Sequence, residues 1–297
     1  MITACIRGFL IVLVGLSLGA CSSVQYYAQA VRGHTELLSQ EEPIEEVLER
    51  KDLSPELIAA LAQSQEARDF AVSELGLPDN DSYRNFVHLD RDFVVWNVVS
   101  TKEFSLEPEK WCFLVVGCIS YKGYFDKKEA DGFAERLRQL GNDVSVSGVR
   151  AYSTIGWFDD PLLSTMLYKN EARRMGIIFH ELAHQQLYIK GDSAFNEAFA
   201  MTVEIEGVRR WLRSRNQHEQ LKAYEVSLDR KWIFNRLLNE TREALKSLYS
   251  QPMSVEEMSL QKARVFEVLR RDYKQAREAW GGYDGYDDWM ARDLNNA

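Results

Sequence analysis

Apolar positions recur along the chain with two different periods, and the changes between them mark the expected elements. From Val24 to Leu38, Tyr26, Tyr27, Ala30, Val31 and Leu37 share one face of a 3.6-residue repeat, which predicts a helix. A second helix is expected from Pro55 to Leu75, rich in Ala, Leu, Glu and Gln, with Gly76, Pro78, Asp79, Asn80 and Asp81 marking its end. Phe93 to Val99 and Trp111 to Tyr121 then carry the β-branched and aromatic residues of partly buried strands, with the turn-like Glu107-Pro108 between them. Lys127 to Leu140 reads as an amphipathic helix. Val144 to Tyr152 alternates as a strand before the turn Gly156-Trp157-Phe158-Asp159-Asp160-Pro161. Beyond that the pattern is helical almost throughout: Glu171 to Ile189, Ser193 to Leu212, Gln217 to Tyr249 and Ser254 to Trp280. Gln251-Pro252 divides the last two, and Ser254 with Glu257 forms a capping-box arrangement. The expected fold class is α+β, mostly helical, with a small β-sheet preceding the helix that begins at Glu171.

Residues 1–20 stand outside this pattern. Arg7 precedes an apolar run from Phe9 to Leu18 that is short for a membrane-spanning helix and ends in small residues, as an export signal does. Leu18-Gly19-Ala20-Cys21 resembles a bacterial lipobox, which implies cleavage before Cys21 and lipid attachment to its thiol. Ser22 and Ser23 follow, with no Asp just after the cysteine. The expected location is therefore the cell envelope, lipid-anchored and periplasm-facing, at the outer membrane. A single domain then covers residues 21–297, with N-terminal helices and sheet up to roughly residue 170 and a helical region after it. Once Cys5 leaves with the signal and Cys21 is modified, Cys112 and Cys118 remain as an even pair, either a disulfide or two free thiols in a strand.

Composition narrows the function classes. With 45% apolar residues and 27% charged ones well mixed along 297 positions, the chain can bury a core, and global disorder is excluded. A net charge of -9 without a clustered Lys/Arg stretch excludes a general nucleic-acid binder, which needs a basic surface to displace counterions.

Chemistry concentrates in Ile177-Ile178-Phe179-His180-Glu181-Leu182-Ala183-His184-Gln185-Gln186, an H-E-x-x-H inside an apolar helical stretch. His180 and His184 fall one turn apart on one helix face and can reach a single zinc ion at about 2.0 to 2.1 Å. Glu181 stands beside that face as the candidate general base and acid. Catalytic zinc usually takes three protein ligands, so a third donor is expected. Lys190-Gly191-Asp192 breaks the helix, Gly191 suiting a C-cap and Asp192 or Ser193 an N-cap, so the two helices form a hairpin. Glu197, in Asn196-Glu197-Ala198-Phe199-Ala200, then faces back towards His184 and is the expected third ligand, with small Ala198 and Ala200 permitting close packing. Glu204, on nearly the same face, is a rival ligand or the group that orients a ligating histidine. Glu206 is expected in solvent. Asp159 and Asp160 either hold a substrate's free amine or make a plain Asp-Pro turn, and Tyr152, Tyr168 and Tyr188 compete as oxyanion donors.

With these residues the chain resembles the gluzincins, in which H-E-x-x-H on one helix is completed by a Glu, often within an Asn-Glu pair, on a following helix. The spacer here is shorter than in thermolysin-like enzymes. More closely, the chain resembles a bacterial family of lipoprotein aminopeptidases. The likeness lies in Glu103-Phe104-Ser105-Leu106, Trp111-Cys112-Phe113, Gly117-Cys118, Gly123-Tyr124-Phe125, Ala151-Tyr152-Ser153-Thr154, Gly156-Trp157-Phe158-Asp159-Asp160-Pro161, His180-Glu181-Leu182-Ala183-His184 and Phe195-Asn196-Glu197, which span most of the mature chain. The resemblance implies a zincin-like fold and removal of N-terminal residues from peptides. It also implies one zinc ion held by His180, His184 and Glu197, with Glu181 as the acid/base. It implies a further segment past Asn295-Asn296-Ala297, which this sequence does not include. The motif supports peptidase chemistry; the narrower aminopeptidase activity comes from the resemblance. The alternative is a catalytically inactive zinc-binding envelope lipoprotein that acts as a binding or scaffold protein. The expected partners are a peptide substrate and the membrane, reached through the N-terminal lipid, with no nucleic acid.

Overall fold

Each amphipathic stretch folds where its capping residues allow. The computed structural model describes residues 24–113, 117–154 and 158–297, so the expected signal and Cys21 lie outside the described residues. Helix α1 covers residues 24–38, and the short strand β1 (Glu42–Pro43) leads into α2 (Ile44–Leu48). Helix α3 (Pro55–Leu75) starts at Ser54, whose side chain accepts from the Leu57 amide, and stops at Gly76, which takes the left-handed φ of 66° that a residue without Cβ adopts freely. After α3 come β2 (Asn85–Val87), β3 (Val95–Lys102), β4 (Trp111–Phe113), β5 (Gly117–Ile119), β6 (Lys122–Tyr124), α4 (Lys127–Gln139), β7 (Asn142–Val149) and β8 (Leu162–Leu163). Helices α5 (Glu171–Gln186), α6 (Ser193–Ser214), α7 (His218–Tyr249), α8 (Val255–Ala279) and α9 (Asp287–Met290) complete the chain. Ser254 caps α8 by accepting from the Glu257 amide at 3.2 Å.

The fold is α+β, as the pattern predicts, but the strands do not make one sheet. Among the described residues they form three small ones, ordered β1-β2-β8, β6-β3-β7 and β4-β5. The expected single strand from Trp111 to Tyr121 is a hairpin instead. Trp111, Cys112 and Phe113 pair antiparallel with Ile119, Cys118 and Gly117, and the directly opposed Cys112 and Cys118 are joined by a disulfide. An apolar run has the same composition whether the chain continues or doubles back, so its pattern does not separate the two.

Among the described residues, three apolar clusters hold these pieces. The central one packs α5 between α3 and α6 and against β2 and β8, burying Met175, Ile178, Phe179 and Leu182 completely. Burial of this kind contributes about 1.5 to 3 kcal/mol per large apolar side chain. The close approach of α5 and α6 comes from glycines. A Cβ on Gly176 would lie 3.2 Å from the Glu204 side chain, and one on Gly207 would lie 2.8 Å from the Phe179 ring. Ala200 is also buried at this contact, whereas Ala198, expected to share the role, faces solvent.

A second cluster fills the hairpin of α7 and α8, where Phe234 stacks on Tyr286 with ring centroids 4.1 Å apart. A third lies between the β6-β3-β7 sheet and α4. Lys262 on α8 reaches Asp143 on β7 at 2.6 Å and so links the helical hairpin to that sheet. Among the described residues no helix is long and apolar enough to cross a membrane.

Candidate metal centre

Helix α5 begins where Asn170 accepts from the Arg173 amide at 3.0 Å, and it runs without interruption through both histidines. It ends at Gln186, three residues short of the expected Ile189, because Leu187 turns extended with φ -149°. Gly191, with φ +86°, therefore sits inside the connecting turn rather than capping α5. Asp192 caps α6 by accepting from the Phe195 amide at 3.0 Å. Asn196, 1% exposed, then binds Ile189 through both its amide oxygen and its amide nitrogen, at 2.8 and 2.9 Å. This clamp seats residues 187–189 on the start of α6 and brings Glu197 opposite the two histidines.

His180 Nε2 lies 3.4 Å from Glu197 Oε2, and His184 Nε2 lies 3.5 Å from Glu197 Oε1. One ligand atom from each of the three residues falls within 4.8 Å of the others. Two ligands on a tetrahedral zinc with bonds of about 2.0 to 2.1 Å stand about 3.3 Å apart, so both His–Glu separations fit that ion closely. The donor set of two imidazoles and a carboxylate also suits it. The Glu197 side chain is 62% exposed, which leaves one side of the cluster open.

Behind the cluster, Glu204 Oε2 accepts from His180 Nδ1 at 3.0 Å and turns the ring so that Nε2 faces Glu197. Of the two roles considered for Glu204, the geometry matches orientation of the histidine. Glu206 pairs with Arg210 at 2.9 Å on the outer face of α6.

Electrostatics follow from this crowding. Burial alone would lower the His180 imidazolium, but hydrogen bonds to Glu197 and Glu204 outweigh it and lift it to about 10. Burial and the neighbouring His180 hold His184 below its ordinary value, and the hydrogen bond from His180 holds Glu197 low. Burial pushes the Glu181 carboxyl up to about 7, with His180 opposing and Glu197, Asp160 and Glu204 adding to the rise.

The other residues singled out from the sequence divide. Asp159 is exposed, while Asp160 is buried, its carboxylate accepting from Ser153 Oγ at 3.1 Å and the Thr154 amide at 2.9 Å to hold its own loop. Tyr152 packs against Phe125 and His34, and Tyr168 lies under the guanidinium groups of Arg150 and Arg173. Tyr188 stays on the exposed loop after α5.

Two tyrosines that the sequence pattern did not single out belong to this neighbourhood. Tyr121, on the turn between β5 and β6, shares the electrostatic surroundings of Tyr188, Glu197 and Glu181, and burial raises its phenol. Tyr83 is 1% exposed and adopts φ 65°, a conformation uncommon for a bulky side chain. It is held there by its amide on Asp160 O at 2.7 Å and by Gln65 on its own carbonyl at 2.8 Å. Burial, then the charges of Glu181 and Asp160, push the Tyr83 phenol well above its ordinary range.

The same loop is locked to α5. The fully buried Arg68 donates to the carbonyls of Asn80 and Ser82, Asn80 Nδ2 donates to Gln185 Oε1 at 2.7 Å, and Gln185 Nε2 returns to Ser82 Oγ at 3.2 Å. Asn80 was legible only as a turn residue, since its partner Gln185 lies far along the chain.

No curated protein and no solved structure matches the chain. A family model described as "Putative aminopeptidase" matches residues 25–297, nearly all of the described protein including the centre on α5 and α6, and the chain belongs to that family.

Proposed function

We propose that this protein is a zinc-dependent aminopeptidase that hydrolyses peptides in the cell envelope. The observation that carries this reading is the convergence of His180, His184 and Glu197 within 4.8 Å, with Glu181 beside them on the same helix as the histidines. His180 Nε2, His184 Nε2 and the Glu197 carboxylate would hold a single zinc ion. A zinc ion there supplies Lewis acidity that polarises a carbonyl and lowers the pKa of a water towards about 7.

Glu181 carries the proton. Its carboxylate takes it from the attacking water and hands it to the departing amine, base in the first half of the reaction and acid in the second. Burial that lifts Glu181 to about 7 brings it near the pH at which it must both accept and release. With a cation held by the histidines, the Glu181 value would fall again and its accepting form would be favoured. Glu204 keeps the His180 ring turned towards Glu197, and Asn196 keeps Glu197 in register. Family membership supports removal of N-terminal residues, the lipobox-like Leu18-Gly19-Ala20-Cys21 supports a lipid anchor, and Ser22 and Ser23 after the cysteine, with no Asp, support the outer membrane.

The test is a metal analysis and an activity assay on the same protein. Purified mature protein should hold one zinc ion and hydrolyse aminoacyl reporter substrates, and Glu181→Gln should retain the ion while losing hydrolysis. Zinc-loaded wild-type protein without turnover would make it an inactive binding protein, and turnover of N-terminally blocked peptides alone would make it an endopeptidase. Labelled fatty acid should enter the wild type and not Cys21→Ser.

A further inference from the structure

Close to the metal cluster the surface carries large apolar side chains that packing does not cover. Tyr188 is 40% exposed and sits between Leu187 at 37% and Ile189 at 44%, all on the loop that Asn196 clamps to α6. Phe195, 43% exposed, continues this edge from the first turn of α6. Across from it stands the stapled β4-β5 hairpin. A Cβ built on Gly117 of β5 comes to 4.0 Å from the Lys190 side chain, so the hairpin meets the loop just past Tyr188. Tyr121 follows that hairpin and is 41% exposed, with Tyr188, Glu197 and Glu181 as its electrostatic neighbours.

We propose that Tyr121 and Tyr188 are the facing walls of a side-chain pocket beside the scissile bond, which selects peptides whose N-terminal residue is apolar or aromatic. This rests on the aminopeptidase reading above. Exposed aromatic rings grouped at a reaction centre mark a binding surface more than an accident of packing, because isolated exposed apolar residues are common but a contiguous edge is not. Rings present wide apolar faces at low entropic cost, and a Leu or Phe side chain between them leaves water on both sides. An acidic side chain entering the space between the rings would lose hydration.

The disulfide makes the wall firm. Cys112 and Cys118 are directly opposed residues of the hairpin that delivers Tyr121, so the covalent link limits how far β5, and the turn after it, can move from β4.

Full-length mature protein loaded with zinc, assayed on aminoacyl reporters carrying Leu, Phe, Ala, Lys and Asp, tests the assignment. Leu and Phe reporters should exceed the Ala reporter in kcat/KM by about 10- to 100-fold, the range a filled apolar subsite provides. Tyr121→Ala and Tyr188→Ala should each reduce that ratio several-fold at unchanged zinc content, while Tyr121→Phe keeps it. Both positions are half-exposed on turns, so loss of folding does not mimic the result. Hydrolysis with a flat profile, a preference for Lys or Asp, or ratios unmoved in both alanine variants overturns this inference and leaves the peptidase reading standing. Zinc-loaded protein that hydrolyses no reporter overturns both.

Discussion

Asn196 holds Ile189 by both polar atoms of its backbone, accepting from its N–H at 2.8 Å and donating to its carbonyl at 2.9 Å. The bond pair closes the turn between α5 and α6 from inside, one residue before Glu197. The Asn of the Asn-Glu pair thus has a mechanical role, tying the loop that leaves the motif helix to the start of the next helix. Asn196→Ala should therefore cost about 1 to 3 kcal/mol of stability and weaken zinc binding at the same time. Denaturant unfolding of metal-free protein and zinc titration measure the two effects. A variant that melts and binds as the wild type does would show that the clamp is dispensable.

Glu204 acts through His180, whose Nδ1 it holds at 3.0 Å. Glu204→Gln keeps the shape beside Gly176 but loses the charge that orients and enriches the imidazole. Zinc affinity measured by competition with a chelator should fall about 10- to 100-fold, with the melting temperature of the metal-free protein changed far less. Undiminished affinity would count against an orienting role.

Proton linkage gives a third expectation. The His180 pKa of about 10 in the metal-free site means that zinc must displace a proton at neutral pH, so affinity should rise with pH and binding should release protons. Stability of the metal-free protein runs the other way. The folded-state value lies above the unfolded value of about 6.5, so the contribution of His180 is fully present below about pH 6.5 and lost as pH rises through about 10. Zinc titrations at several pH values, in buffers of different ionisation heat, read the released proton directly. An affinity independent of pH contradicts the linkage.

Lys262 and Asp143 join the α7-α8 hairpin to the β6-β3-β7 sheet through side chains only 12% and 15% exposed. Lys262 also donates to Glu103 O at 2.7 Å, and Asn296 N donates to Asp143 at 2.9 Å. Removing the cation leaves a mostly buried carboxylate with one donor, so Lys262→Met should destabilise by about 3 to 5 kcal/mol in urea unfolding. Zinc affinity should not follow, because neither residue belongs to the metal cluster. Equal losses of stability and metal binding would mean that the α7-α8 hairpin and the metal centre are coupled more tightly than this pair implies.

What could be read along the chain is what short-range geometry controls. Helix α3 spans the expected Pro55 to Leu75, and α1 the expected Val24 to Leu38, because periodicity, an N-cap serine and a terminal glycine act within a few residues. His180 and His184 share a face for the same reason: the backbone hydrogen bonds of one helix set the angle between residues four apart. The separation of Glu197 from those histidines depends instead on Gly176 and Gly207 letting two helices close on each other, and on Asn196 gripping a turn. Tyr121, Tyr83 and the Asn80–Gln185 bond had no signal in the sequence, since each reaches α5 from an element distant in the chain. The sequence by itself thus determined the main helices and the order of reactive side chains on α5. Only the tertiary structure decided which carboxylate meets the histidines, which one stands behind them and which rings border the site, because distances between separate elements are set by packing and not by spacing along the chain.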